Sequence, residues 1–300
     1  MAWSISGRTV LVTGAARGIG AESARRLAQA GARLSLVGFE PEELAKVAAE
    51  CGPEAIWFEC DVTDTDALEG AVAGTVERFG AIDVCIANAG IATGAPLRHS
   101  DLGNYERTIE VNLLGVIRTV HACLPHVVER QGYVLAIASV AAAVHAPGMG
   151  AYSASKAGVE AFADSLRTEV KHLGVDVGVG YFSWIDTEMV RGADRHPAFG
   201  ELRAKLPGPF GRTYPVSAVG EAMARGVAKR RRWVTVPGWV RLILLNRGWF
   251  WVLTEARARR EVPEFDAKFE RDVAERGTAA SSAPVGAGGA AERERAPDRS

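Results

Sequence analysis

Tyr152 and Lys156 stand four residues apart, a spacing that puts both side chains on one face of a helix. A phenol titrating near ~10 is a poor base at neutral pH. A neighbouring ammonium favours the phenolate and lowers that value, which suits a group that must pass a proton to or from a substrate oxygen. Ser139 closes the apolar run Val134–Ala138, where its hydroxyl could hold a substrate oxygen as charge develops on it. Asn112 lies among Val111, Leu113, Leu114 and Val116, and an amide in such a stretch is either satisfied internally or functional. Each residue also has a plainer reading. Tyr-x-x-x-Lys occurs on many exposed helices, a serine after a strand is usually a cap or turn residue, and His145 nearby reads first as a loop residue and second as a substrate contact.

The second chemical feature is Thr13-Gly14-Ala15-Ala16-Arg17-Gly18-Ile19-Gly20. Glycines there permit a tight turn and bring the backbone close to a pyrophosphate, which the N-terminus of the following helix stabilises. By itself a glycine-rich turn is weak, and an ordinary strand-to-helix connection accounts for it. Its place between a strand and a helix near the N-terminus is what the dinucleotide fingerprint requires.

Hydrophobic periodicity supplies the elements that must position these residues. Residues 8–13 read as a strand, 19–30 as a helix with Gly31 as its C-cap, 32–37 as a strand, and 41–50 as a helix. Strands follow at 56–60, 82–87, 133–138 and 175–181, with helices at 65–79, 102–130 and 151–173. This alternation predicts an α/β fold: one doubly wound parallel sheet with helices on both faces, and ligands at the carboxyl ends of its strands. The chemical residues all fall at such ends. Residues 189–213 read as a mobile loop with short helices, and Val234–Val236 as a last strand. The expected domains are 1–237 for the sheet, 238–276 for a C-terminal extension, and 277–300 for a tail whose Gly, Ala, Ser, Pro and charges predict disorder.

Composition excludes several classes. With 48% hydrophobic residues the chain can bury a large core, and 35 basic against 36 acidic residues give no global signal for nucleic acid. Cys51, Cys60, Cys85 and Cys123 form no metal-ligand spacing and read as reduced thiols, so no metal is expected. No signal-peptide pattern opens the chain and no apolar run reaches the ~18 residues of a spanning helix. The expected compartment is the cytoplasm, with membrane association as the alternative.

Taken in order, the motifs resemble those of the classical short-chain dehydrogenase/reductase family: the glycine loop, Cys60-Asp61-Val62, Asn88-Ala89-Gly90, Asn112, Ser139 and Tyr152-x-x-x-Lys156. The resemblance spans roughly residues 5–190. It implies an NAD- or NADP-dependent oxidoreductase acting on a secondary alcohol or ketone. Tyr152 would be the acid/base, Ser139 would hold the substrate oxygen, Lys156 would tune Tyr152 and reach the nicotinamide ribose, and Asn112 would join a water-linked proton relay. Gly14, Arg17, Gly18, Ile19 and Gly20 would cradle the dinucleotide, Asp61 and Val62 would flank the adenine, and Asn88 and Gly90 would border the cleft. A homodimer or homotetramer through 102–130 and 151–173 is likewise implied. A non-enzymatic dinucleotide sensor or scaffold is the alternative, disfavoured because a binding module has no need of Tyr152 and Lys156 together.

Two departures bear on specificity. Where the family carries Pro-Gly, this chain has Phe182-Ser183-Trp184; Ile185 and Thr187 remain and would meet the carboxamide. After the second strand stands Glu40, which would disfavour a 2′-phosphate, whereas Arg17 could attract one; the balance leans to NAD. Beyond the resemblance, residues 225–260 hold ten Arg or Lys against one acid, Glu255, together with Trp233, Trp239, Trp249 and Trp251. The segment 239–253 reads as a lid or subunit interface, or as a peripheral membrane element. Either suits a lipophilic substrate such as a steroid, terpenoid or acyl-chain carbonyl.

Overall fold

The computed structural model describes residues 3–295; the last five residues of the expected tail lie outside the described residues. The β-branched runs form seven parallel strands: β1 (Thr9–Thr13), β2 (Arg33–Gly38), β3 (Ala55–Glu59), β4 (Val84–Ala87), β5 (Tyr133–Ile137), β6 (Asp176–Phe182) and β7 (Trp233–Val236). Every residue of β1, β4 and β5 is buried, as continuous apolar strands covered on both faces must be. Their order is β3-β2-β1-β4-β5-β6-β7. The order reverses between β1 and β4, which opens a crevice at their carboxyl ends.

Helices α1 (Gly18–Gln29) and α2 (Pro41–Cys51) follow β1 and β2, and α3 (Thr65–Phe79) follows β3. Asp64 caps α3 by accepting from Ala67 N at 3.0 Å, and Gly80 ends it at φ +76°. The helix expected at 102–130 is α4 (Leu102–Ile109) and α5 (Gly115–Glu129), joined by a π-helical turn at Glu110–Leu114 that contains Asn112. Such turns are rare and concentrate at functional sites. Helix α6 (Gly150–Val170) carries Tyr152 and Lys156. One sequence expectation needs correction here. Among the described residues, Leu102–Glu129 is long and apolar enough to cross a bilayer by length and composition. Its apolarity serves the sheet: Val111, Val116, Val120, Cys123 and Val127 are buried in the main core.

Beyond β6 come α7 (Glu188–Asp194), α8 (Pro197–Ala204) and α9 (Val216–Ala228), and after β7, α10 (Val240–Leu245) and the long α11 (Arg247–Arg276). Phe265 and Phe269 of α11 pack with Phe199 of α8 and Ala95 in a small separate core. The tail departs from its predicted disorder. Thr278–Ser281 forms α12 and Gly286–Arg295 forms α13. Composition missed this because the tail is held by contacts from elsewhere in the chain. Ser282 Oγ accepts from Asp101 N at 2.9 Å, Asn104 donates to Ala279 O at 2.9 Å, and Val285 N donates to Ala92 O at 2.9 Å.

Candidate active site

The glycine loop is shaped by close backbone approach. Gly14 has φ +64°, and a Cβ there would stand 2.8 Å from Ala89 Cα. At Gly20 a Cβ would lie 2.1 Å from Gly14 O, so only glycine lets α1 begin so near β1. Asn88 fastens this corner: its Nδ2 donates to Thr13 O at 3.0 Å and Gly14 O at 3.2 Å. Arg17, the residue before α1, makes no side-chain capping bond. The first-turn N–H groups of α1 are therefore left for a ligand at the crevice.

A cavity of about 560 Å³ occupies that crevice. Of the residues singled out from sequence, Gly14, Arg17, Gly18, Ile19, Glu40, Asp61, Val62, Asn88, Gly90, Ser139, Tyr152, Lys156, Ile185 and Thr187 all line it. Gly20 and Asn112 do not. Gly20 acts on the loop from behind, and Asn112 sits fully buried with Oδ1 accepting from Ile91 N at 2.8 Å and Nδ2 donating to Ile91 O at 2.9 Å and Ser155 Oγ at 3.2 Å. It thereby clamps the chain just past Asn88-Ala89-Gly90. Gly90 keeps the space between Asn112 and Lys156 open: a Cβ would stand 3.1 Å from Asn112 Oδ1 and 3.4 Å from Lys156 Nζ.

At one end of the cavity Arg17 is held by two carboxylates. Its guanidinium forks onto Glu40, with Nε donating at 3.0 Å, while Nη1 donates to Glu188 at 2.8 Å. The bonds to Glu40 and then Glu188 raise an already high Arg17 pKa. Asp61 is similarly engaged. Burial disfavours its charge, but hydrogen bonds from Thr63 and from Arg107 at 2.7 Å win and hold the carboxyl below its ordinary value. Burial pushes the adjacent Cys60 thiol up to about 12, so it stays protonated and unreactive.

At the other end, Ser139 follows β5 with Oγ accepting from Ala141 N at 3.2 Å and donating to Phe182 O at 3.4 Å. Lys156 is buried, its Nζ donating to Ile137 O at 2.9 Å and lying 5.7 Å from the centre of the Tyr152 ring. Burial lowers the Lys156 pKa to about 8. Tyr152 moves opposite to the sequence expectation. Burial raises its pKa, and the hydrogen bond with Ser139 recovers only part of the rise. Desolvation of the phenolate outweighs an ammonium that is itself desolvated and turned toward a carbonyl.

Phe182 and Ser183 line the cavity, as their departure from the family pattern suggested, whereas Trp184 turns away beneath Arg203, 5.0 Å from its ring centre. His145 lies off the cavity with Nε2 3.4 Å from Ala142 O. Sequence reasoning missed Glu188 and Met189 of α7, and Val285, Gly288 and Gly289 of the tail, all of which line the cavity. Only the glycines offered a signal. Gly286, at φ +80°, meets the Glu188 and Met189 backbone with no room for a side chain, a Cβ there lying 2.8 Å away.

Known proteins resemble this chain over most of the sheet domain. The family described as short chain dehydrogenase matches residues 8–198. Cis-4-hydroxycyclohexanecarboxylate dehydrogenase of Sinomonas cyclohexanicum is 34% identical over 223 residues, covering 72% of this chain and 88% of that protein. The 11-beta-hydroxysteroid dehydrogenase 1A of Arabidopsis thaliana is 31% identical over 258 residues, 81% of this chain and 72% of that one. A fatty acyl-CoA reductase of Acinetobacter baylyi is 33% identical over 193 residues, 62% of this chain and 65% of its own.

Proposed function

The chain belongs to the short-chain dehydrogenase family, and on that premise we propose that this oxidoreductase moves a hydride between NAD and a lipophilic secondary alcohol or ketone. The observation that carries the reading is that Ser139, Tyr152 and Lys156 line the same cavity as the glycine cradle. The residues present fit a dinucleotide: Gly14 and Gly20 leave no room for a Cβ, and the first turn of α1 has no side-chain cap. Gly14, Gly18 and Ile19 would hold the pyrophosphate, Asp61 and Val62 the adenine, Lys156 the ribose, and Ile185 and Thr187 the carboxamide. Bound there, the dinucleotide supplies or accepts the hydride.

In this reading the Tyr152 phenol exchanges a proton with the substrate oxygen while Ser139 donates a hydrogen bond to that oxygen. Lys156 stabilises the phenolate, and Asn112 supports Lys156 across the space that Gly90 leaves open. NAD is favoured because a 2′-phosphate would have to draw Arg17 from Glu40 and then sit beside that carboxylate. The ring and acyl chemistry in the relatives' names fits a steroid, terpenoid or acyl-chain carbonyl. Assembly as a homodimer or homotetramer through α4–α5 and α6 belongs to the same proposal.

Parallel fluorescence titrations with NADH and NADPH, followed by a panel of cyclic and long-chain alcohols and ketones, test it. Tighter NADH binding and turnover of an apolar panel member are expected. Dinucleotide binding with no turnover across the panel would instead favour a sensor or scaffold.

A further inference from the structure

The start of the C-terminal extension presents an apolar surface that the proposed reaction does not use. Helix α10 buries Val240, Ile243 and Leu244 against the sheet domain. Its other face, with the first turns of α11, leaves Leu242 61%, Leu245 67%, Trp249 77% and Val252 61% exposed. Large apolar side chains clustered in so short a span mark an interaction site.

The charge around them is of one sign. No Asp or Glu occurs between Glu221 and Glu255, and Arg241 is exposed beside Leu242. Glu255 itself is paired with Arg259 at 2.7 Å. Arg247, itself half exposed, pairs with the buried Glu160 of α6 at 3.0 Å, which ties the knuckle to the sheet domain. A second copy of this chain is a poor occupant. A two-fold contact would bring arginine to arginine, and the twelve residues from Arg241 to Val252 fall well short of the roughly 20–30 per side of a stable interface. An exposed tryptophan and aliphatics beside basic groups complement a bilayer with anionic headgroups, where the ring sits at the interface and the arginine meets phosphate.

Behind the patch an aromatic layer runs toward the cleft. Phe250 and Trp239 pack on Phe210 at 6.2 and 5.0 Å between ring centres. The Trp239 indole N–H donates to Tyr214 Oη at 3.1 Å, and Tyr214 N donates to Trp184 O at 2.8 Å, one residue before Ile185.

We propose that the α10–α11 knuckle, through Leu242, Leu245, Trp249, Val252 and Arg241, docks this protein on an anionic lipid surface. The docking stands apart from the reaction, and its test reads binding alone. Full-length protein is floated with phosphatidylcholine vesicles with or without phosphatidylglycerol, and compared with Leu245→Glu/Trp249→Glu and with Arg241→Gln. Dinucleotide titration confirms that each variant keeps its fold. Recovery on anionic vesicles should fall roughly tenfold in the double variant and several-fold in Arg241→Gln or at high salt. Equal recovery of wild type and double variant, or equal recovery on neutral and anionic vesicles, would overturn the proposal. So would a lipid-free oligomer of the wild type that the double variant abolishes, since a second copy would then be the occupant.

Discussion

On the strand side of the cleft, Gly14 stands where even a methyl group would collide with Ala89, and Asn88 ties that corner together through backbone carbonyls. Away from the cavity wall, where α8 and α11 pack together and onto the loop after β4, long side chains do most of the work. Asp266 takes Arg98 at 2.9 Å and His99 at 3.3 Å, Lys268 bonds Glu264 at 2.8 Å, and His196 stacks on Phe269 at 4.4 Å while facing Asp272 at 3.5 Å. Exposed ion pairs contribute little each, so the buried Phe265 and Phe269, with the partly buried Phe199, carry most of this side's stability. The strand side is built for one backbone geometry and carries the proposed chemistry. The helical side is built from replaceable side chains, and among the described residues none of α8 or α11 lines the cavity.

The strongest way to sharpen that contrast is Tyr152→Phe. Turnover should fall by about 10³-fold while NADH affinity by fluorescence titration stays within twofold, because the cradle lies elsewhere in the cavity. Retained turnover would remove Tyr152 from the chemistry. Next comes Phe269→Ala, which empties a fully buried site and should cost roughly 3 kcal/mol by denaturant melt. If the helical side is separable, KM for substrate rises and NADH affinity holds; a parallel loss of NADH affinity would break the comparison.

Lys156 offers a smaller effect with a definite sign. Its pKa in the folded protein, about 8, lies below the unfolded value of ~10.4. Between those values the unfolded chain binds the extra proton, so stability should rise with pH across that window; below about 8 the burial of the ammonium is a standing cost. Lys156→Met should therefore raise stability near neutrality by about 1–2 kcal/mol and flatten the alkaline rise, while abolishing turnover. A melt series against pH decides this. The smallest change is expected from truncation after Ala283, which removes Val285, Gly288 and Gly289 from the cavity wall. NADH release in stopped flow should quicken by roughly threefold with the melting midpoint little changed. A collapse of stability would instead make the tail part of the core.

Much of the strand side was legible in the sequence. A buried parallel strand needs an unbroken apolar run, and β1, β4 and β5 are such runs; a loop under a helix N-terminus needs glycine at fixed intervals, and Gly14, Gly18 and Gly20 keep them. The pairing of Arg17 with Glu40 is not legible in the sequence, because the contact depends on where β2 ends beside β1. The order of the tail is hidden for a similar reason. A run such as Gly-Ala-Gly-Gly lacks a core of its own, yet Gly286 and Gly192 let two backbones meet closely, a Cβ on Gly192 falling 2.6 Å from Gly286 N.

By itself, then, the order of residues determined the parallel α/β fold, the cradle, and which hydroxyl, phenol and ammonium share a cleft, since these follow from spacing along strands and helices. Tertiary structure alone decided that Tyr152 is raised and not lowered, that Arg17 is committed to two carboxylates, that Asn112 clamps Ile91, and that Val285, Gly288 and Gly289 wall the cavity. Each of these rests on which groups lose water and which distant partner replaces it. Spacing along a chain carries no record of that exchange.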